Sequence, residues 1–276
     1  MTGSPKCGDK VTSLVETYRF SGVTGDAVCG ANVTTMYAAY ADSALTGNAA
    51  CGNKVIDMFS AYMNCYNLKG KPVIGPNVTN ADYAYQNCYN MTGSPVCSAK
   101  LTNFNFTFCN CYNITGSPVT SENAIGMRYT YYNCRNLTGR PVIGNKVVQA
   151  DFCYADCVNL TLGPIVGANV TNLYWAFARS TDNMGGNSYI YANNITDVWW
   201  AYRRVNGSAP RLNIYFHANT TTHDSIMGAK SQNTETSLTG QVMTFTHYSN
   251  GCSKVWQNLY FYPVTNVAAA RAANGD

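Results

Sequence analysis

The chain reads as a repeat solenoid: short repeats stacked on one another, closed by a β-containing C-terminal cap. Two observations predict it. An apolar residue recurs at Val11, Val33, Val55, Val78, Leu101, Ala124, Val147, Val170 and Ile195, in steps of 22, 22, 23, 23, 23, 23, 23 and 25 residues. Three further columns keep the same register. Leu14, Met36, Met58, Ala81, Phe104, Met127, Ala150, Leu173 and Val198 stand three residues on. Tyr18, Tyr40, Tyr62, Tyr85, Phe108, Tyr131, Tyr154, Phe177 and Tyr202 stand seven on. Ser21, Ser43, Cys65, Cys88, Cys111, Cys134, Cys157, Ser180 and Val205 stand ten on. Positions are named below by this offset from the first apolar residue of their repeat. No single repeat of 22–23 residues can bury its apolar side alone, so stacked neighbours must do it.

Within each repeat, apolar positions at offsets 0, 3, 7 and 10 fit one face of an amphipathic helical turn. A second segment follows. Gly70-Lys71-Pro72-Val73-Ile74, Gly93-Ser94-Pro95-Val96-Cys97, Gly116-Ser117-Pro118-Val119-Thr120 and Gly139-Arg140-Pro141-Val142-Ile143 are its clearest copies. Gly and Pro punctuate, and a short β-prone run comes after. The predicted unit is a short parallel strand plus a helical turn, repeated about nine times over residues 1–205. The pattern then decays, and residues 206–276 are expected to form a capping or docking region. There, Asn206–Pro210 reads as a turn, Arg211–Phe216 as a strand and Ala218–Thr239 as a polar loop. Gln241–Tyr248 and Lys254–Tyr262 read as further strands, and the tail after Pro263 as extended or disordered.

The motif Val-x-x-Met-x-x-x-aromatic-x-x-Cys-x-x-Leu, as in Val55, Met58, Tyr62, Cys65 and Leu68, resembles the BspA-type leucine-rich repeat. Val78-Thr79-Asn80 and Val170-Thr171-Asn172-Leu173 keep the Val-Thr-Asn opening of its bacterial surface-protein version. The resemblance covers residues 1–205 and implies a right-handed, leucine-rich-repeat-like solenoid. It also implies a surface protein that binds host proteins or other cells, or a phage structural protein, in which related repeats occur. Two departures stand out. The strand is Gly-x-Pro-Val-x, without a Leu-x-x-Ile-x-Ile run, which leaves its register open. And the repeats fill nearly the whole sequence, with no recognisable secretion or anchoring module.

Composition excludes several function classes. Lys and Arg number 18 against 14 Asp and Glu, a net charge of +4 that is scattered, so no nucleic-acid partner is expected. No apolar run approaches the roughly 20 residues of a membrane span, and none resembles a leader peptide, so no membrane insertion is expected. There is no nucleophile elbow, phosphate-cradling glycine loop or acidic cluster, and no enzyme activity is predicted. His217 and His223 share one polar region and His247 lies apart, too few for a metal site, so neither metal nor cofactor is expected. The 21 Tyr residues suit both stacked repeats and a recognition surface.

Twelve Cys invite a disulfide reading, but their columns argue otherwise. Cys65, Cys88, Cys111, Cys134 and Cys157 point the same way in successive repeats, as do Cys7, Cys29, Cys51 and Cys97. Facing side chains are what a disulfide needs, so buried free thiols are expected, a state suited to a reducing cytosol. Asn67, Asn90, Asn113, Asn136 and Asn159 form a column whose amides suit a turn ladder better than glycan attachment.

The candidate binding residues lie at offset five: Tyr83, Phe106, Tyr129, Phe152, Trp175 and Trp200. On a helical turn they fall opposite the core face and form an exposed aromatic ridge. If the segment is not helical, they pack inward or against neighbouring repeats, and both readings stay open. The changeable residue after each strand glycine (Lys71, Ser94, Ser117, Arg140) is the second candidate set. The function these readings favour is a non-enzymatic repeat scaffold that binds protein or glycan. A bacteriophage virion component for structure or host attachment fits best, assembled in the host cytoplasm as a homo- or hetero-oligomer. Its partners would be other structural proteins of the assembly or a host-surface protein or glycan. A fragment of a secreted adhesin at the bacterial cell surface is the alternative. A carbohydrate-active enzyme on a solenoid is the alternative of another class.

Overall fold

The computed structural model describes residues 2–203, 209–217, 238–239, 242–244 and 259–276. The fold is mostly parallel β structure with few helices. Successive repeats lie side by side, joined by parallel bridges: Ser13 to Thr35, Thr35 to Asp57, Asp57 to Asn80, Asn80 to Asn103, and onward through Gly126, Gln149 and Asn172 to Asp197. Each repeat is therefore one layer. Short strands form between neighbouring layers: β1 (Thr2–Gly3) pairs with β2 (Gly22–Val23), and β3 (Val142–Ile143), after Pro141, pairs with β4 (Ile165–Val166), after Pro164.

From β3 the sheet widens. β5 (Gly186–Ile190) and β6 (Leu212–His217) continue it in parallel, with Ile165 opposite Tyr189 and Tyr189 opposite Tyr215. Farther on, β7 (Leu238–Thr239), β8 (Val242–Thr244) and β9 (Leu259–Val264) complete a seven-stranded sheet in the order β3-β4-β5-β6-β9-β8-β7. β9 runs parallel to β6, and β8 antiparallel to β9. The sheet thus passes without a break from the repeats into the C-terminal region.

The helical turn expected at offsets 0 to 10 does not form. Among the described residues of the repeats, the only helical assignment is a 3-10 turn at Ser180–Asp182. Instead the segment is a chain of tight turns with left-handed residues at offsets five and nine. In the Val55 layer these are Ser60 at φ 52° and Asn64 at φ 62°; in the Leu101 layer, Phe106 at 55° and Asn110 at 61°. In the Val55 layer each sits third in a four-residue turn, since Ala61 N–H bonds Met58 C=O at 3.0 Å and Cys65 N–H bonds Tyr62 C=O at 3.0 Å. A positive φ at that place is the mark of a type II turn.

The N–H groups at offsets three, five, seven and nine leave the layer. Met58, Ser60, Tyr62 and Asn64 donate to the carbonyls of Asn80, Asp82, Ala84 and Gln86 in the next layer, at 2.8, 2.9, 2.8 and 2.8 Å. A helix would have turned these donors back on its own chain. The same four offsets donate in the same direction in the first layer (Leu14, Glu16, Tyr18, Phe20) and in the eighth (Leu173, Trp175, Phe177, Arg179).

The predicted core columns are the core. Val33, Met36 and Tyr40, Val55, Met58 and Tyr62, and Val147, Ala150 and Tyr154 are all fully buried, in one continuous cluster. Ring stacking joins the layers: Tyr40 to Tyr62 at 5.4 Å, Tyr62 to Tyr85 at 5.3 Å, Tyr131 to Tyr154 at 5.2 Å. The hydroxyl ties the turn segment to the strand segment of its own layer. Tyr40 donates to Val28 C=O at 2.7 Å and accepts from Val28 N–H at 3.1 Å, and Tyr131 does the same with Val119 at 2.6 and 3.1 Å. Where the column holds Phe, the strand takes over. Val96, twelve residues before Phe108, donates to Pro72 C=O at 3.0 Å, and Ile165, twelve before Phe177, donates to Pro141 C=O at 3.0 Å. Buried main-chain groups need partners, so either the phenol or the neighbouring layer must supply one.

The cysteine column is buried as free thiols. Cys65, Cys88, Cys111 and Cys134 donate to the offset-seven carbonyl of the preceding layer, at 3.0, 3.1, 3.0 and 3.0 Å. The strand glycines have a steric reason too. Gly116 lies at φ 77°, and a Cβ there would sit 2.0 Å from Ser94 Oγ of the layer before.

At the C-terminus the expected extended or disordered tail is a helix, α1 (Val267–Ala273). Its alanines favour a helix, and Asn266 caps it, with its side chain accepting from Ala269 N–H at 3.0 Å. The strand expected at Arg211–Phe216 is β6, displaced by one residue. Of the strands expected at Gln241–Tyr248 and Lys254–Tyr262, Val242–Thr244 and Leu259–Tyr262 are strand, and the rest lies outside the described residues. The polar loop apart from Leu238–Thr239, with His223 and His247, lies outside them as well.

Candidate interaction surface

The offset-five residues stand in one column of parallel rings. Tyr83 stacks on Phe106 at 4.8 Å, Phe106 on Tyr129 at 4.7 Å and Tyr129 on Phe152 at 4.5 Å. Phe152 continues to Trp175 at 5.6 Å and Trp175 to Trp200 at 5.7 Å. The Arg203 guanidinium lies over both indoles, 5.0 Å from Trp175 and 4.5 Å from Trp200. All six aromatics are half-buried, neither the exposed ridge of a helical wheel nor interior residues. The reason is the left-handed backbone, which turns each side chain along the stack instead of out from it.

A bulky residue at positive φ costs roughly 1–2 kcal/mol. Two stacking contacts per ring, each about 0.5–1.5 kcal/mol, offset that. Asn and Asp tolerate the left-handed region more readily, and they fill most of the offset-nine column. Asn64 Nδ2 donates to Asp42 Oδ1, Asn87 to Asn64 Oδ1 and Asn110 to Asn87 Oδ1, all at 2.7 Å, and Asn133 to Asn110 Oδ1 at 3.1 Å. The Asn column singled out in the sequence, at offset twelve, is looser: Asn90 reaches Asn67 at 3.5 Å and Asn136 reaches Asn113 at 3.4 Å.

The flank of the ridge is polar. Asp82 accepts from Asn105 N–H at 2.6 Å, and Asp151 accepts from Arg128 Nε at 2.9 Å. Burial and then the Asp151 carboxylate push the Tyr129 phenol up, against a smaller opposing pull from Arg128, and burial pushes up Tyr132. Both hydroxyls therefore stay protonated donors across the neutral range. Because the inner rings have both faces covered, a partner meets ring edges and these hydroxyls. Stacking of a sugar on a ring face has no room within the column.

A second aromatic ladder, missed in the sequence, stands at offset eleven. Tyr66 stacks on Tyr89 at 5.2 Å and Tyr89 on Tyr112 at 4.9 Å, with Arg135 over Tyr112 at 5.5 Å. Tyr66 is 48% exposed. The signal was present as Cys-Tyr-Asn in three successive repeats, at Cys65, Cys88 and Cys111.

Of the changeable strand positions, Lys71, Ser94 and Ser117 are exposed. Arg140 is half-buried and bonded to Asp276 in the C-terminal tail, so the column is not uniformly exposed. His217 is half-buried at the end of β6. Among the described residues no three His, Cys, Asp or Glu side chains are grouped to hold a metal ion. No described helix is long and apolar enough to cross a membrane. No protein-family model, curated protein or solved structure matches the chain.

Proposed function

We propose that the chain is a non-enzymatic repeat scaffold, a leucine-rich-repeat-like solenoid, that binds a partner protein within a larger assembly. Among such assemblies the bacteriophage virion fits best, with the chain as a tail, fibre or head-surface component that meets the host. The observation that carries this reading is the column of six stacked, half-exposed aromatics from Tyr83 to Trp200. It runs through six successive layers, and it offers ring edges and phenol donors with a few charged groups (Asp82, Arg128, Asp151, Arg203) at its flank, which suit a protein surface better than a sugar face. Buried free thiols in every layer from Cys65 to Cys157 suit assembly in a reducing host cytoplasm.

The test is fractionation of the source culture followed by mass spectrometry of purified particles. Copurification with particles is the expected result. Recovery only with cell envelopes, in an oxidising compartment, would replace the virion reading with the adhesin reading. A binding arm uses Tyr83→Phe/Tyr129→Phe, which keeps every stacking contact and removes two edge hydroxyls. Partner capture should fall while the melting temperature stays within a degree or two. Unchanged capture would take the ridge out of the binding surface.

A further inference from the structure

Away from the ridge, the end of the chain is held by a compact set of donors. Asp276 Oδ1 accepts from Arg140 Nη2 at 2.9 Å. Its Oδ2 accepts from Tyr189 OH at 3.0 Å and from Asn187 Nδ2 at 3.3 Å. Arg140 is itself aimed by main chain, since its Nη1 donates to the carbonyls of Gly163 and Asn187, both at 3.1 Å. Arg140 stands just before β3, and Asn187 and Tyr189 on β5, so the sheet fixes all three donors independently of the tail. Beside them, Tyr189 opens a ring column, stacking on Tyr215 at 5.4 Å, which stacks on Tyr262 at 4.9 Å.

With the tail in place Tyr189 is fully buried, but the segment that covers it is itself weakly packed. Of the seven residues of α1 only Val267 is buried. A free helix of that length is marginal in water, so its ordering depends on what anchors it. Besides the Asp276 carboxylate, the tail makes a long contact from Asn274 to Tyr215 OH at 3.5 Å and places Arg271 5.8 Å from the Tyr189 ring. A rigid three-donor cradle beside an aromatic strip, closed by a weakly packed segment with a single side-chain carboxylate, has the form of a site with its own stand-in.

We propose that Arg140, Asn187 and Tyr189 form a recognition site for a peptide carboxylate, closed in cis by Asp276 and opened to an Asp- or Glu-bearing segment of a partner protein when α1 lifts. The guanidinium supplies the charge, Asn187 and Tyr189 fix the second oxygen, and the Tyr189–Tyr215–Tyr262 strip receives the backbone that leads to the acid.

The test uses the full chain and a fluorescein-labelled peptide with the sequence of residues 265–276. In wild type the cis carboxylate competes. Asp276→Asn removes that competitor and should raise peptide affinity about tenfold, the worth of a charge-assisted hydrogen bond of about 1.5 kcal/mol. Amide exchange over α1 should quicken in the same variant while the repeat layers keep their protection. Adding Arg140→Gln to Asp276→Asn should return peptide binding to the wild-type level or below. Equal affinity for wild type and Asp276→Asn would overturn the proposal and leave the contact a structural tie. Displacement of the peptide by equimolar acetate would overturn the assignment to a peptide ligand.

Discussion

Asn110 offers a sharp test of the backbone, because a helix and a left-handed turn predict opposite orders for two substitutions. It sits at φ 61°, donates to Asn87 at 2.7 Å and accepts from Asn133 at 3.1 Å. Asn110→Gly and Asn110→Ala both delete these two bonds, about 1 kcal/mol each in net terms, and both leave neighbouring amides half-satisfied. They differ in the backbone. At positive φ, Ala is strained by about 1 kcal/mol relative to Gly. In a helix interior the order reverses, with Gly worse than Ala by about 1 kcal/mol. The structure therefore predicts a loss of about 2 kcal/mol for Asn110→Gly and about 3 kcal/mol for Asn110→Ala, whereas a helical segment would favour the Ala chain by about 1 kcal/mol. Urea titration reads the difference in midpoints, with a shared slope showing that the unfolding unit is the same. Amide exchange at the layers flanking Asn110 checks that the loss is local. An Ala variant as stable as the Gly variant would refute the turn assignment, and one more stable by about 1 kcal/mol would restore the helix.

Other outcomes follow from the same geometry. Tyr131→Phe should lose about 1 kcal/mol, because it leaves the part-buried C=O and N–H of Val119 without the phenol, while Phe108→Tyr should gain little, since Val96 is already bonded to Pro72. Thermal melts of both settle it, and equal effects would count against the exchange of phenol for strand. In the native chain Cys88, Cys111, Cys134 and Cys157 should resist iodoacetamide at pH 8, since burial pushes their thiols far above the ordinary range, and Cys51 is pushed up to about 11 by burial. In denaturant all twelve should react, as mass spectrometry would count. For Asp276, burial alone would raise the carboxyl, but Tyr189, Asn187 and the charges of Arg140 and Arg271 hold it below its usual value. A depressed pKa makes the docking contribution full above the ordinary carboxylate range and lost as pH falls through the group's own lower pKa. Protection of the α1 amides should drop on acidification in wild type and not in Asp276→Asn, and parallel profiles for the two would contradict the linkage.

The core was legible because burial depends on one thing the sequence displays, the recurrence of apolar side chains in register. Met58, Tyr62 and Cys65 could be placed inside with no knowledge of the backbone that carries them. The backbone itself was not legible from that spacing. Apolar positions every three or four residues serve a helix, whose N–H groups bond within the chain. They serve equally a run of turns, whose N–H groups bond to the next layer. The deciding signal was the polar column of Asp42, Asn64, Asn87, Asn110, Asn133 and Asp156, residue types that tolerate the left-handed region. The aromatics at offset five hid the matching column, because Phe106 or Trp175 at positive φ runs against local preference and stands only through stacking with its neighbours. The ridge was thus correctly picked out as a column, while its rings face each other instead of solvent. The tail was misread for a different reason: its small residues suggested disorder, yet Asn266 before an alanine run is a helix start.

At offsets three, five, seven and nine the N–H donors run one way, while at offset one they run the other (Ile56 N–H bonds Thr34 C=O at 2.8 Å), and the one-way set bears on symmetry. Every such layer gives to the next and receives from the one before, so the carbonyls of Ser13, Val15, Thr17 and Arg19 have no main-chain partner among the described residues. Two copies meeting there about a two-fold axis would set acceptor against acceptor. A self-complementary dimer through that edge is disfavoured, and a joint made on it has to be heterologous, with the other side bringing donors. Contacts of that kind close into rings or run on as filaments, so wherever a layer edge of this kind is open, the direction of a hydrogen bond narrows the symmetry of a joint made on it.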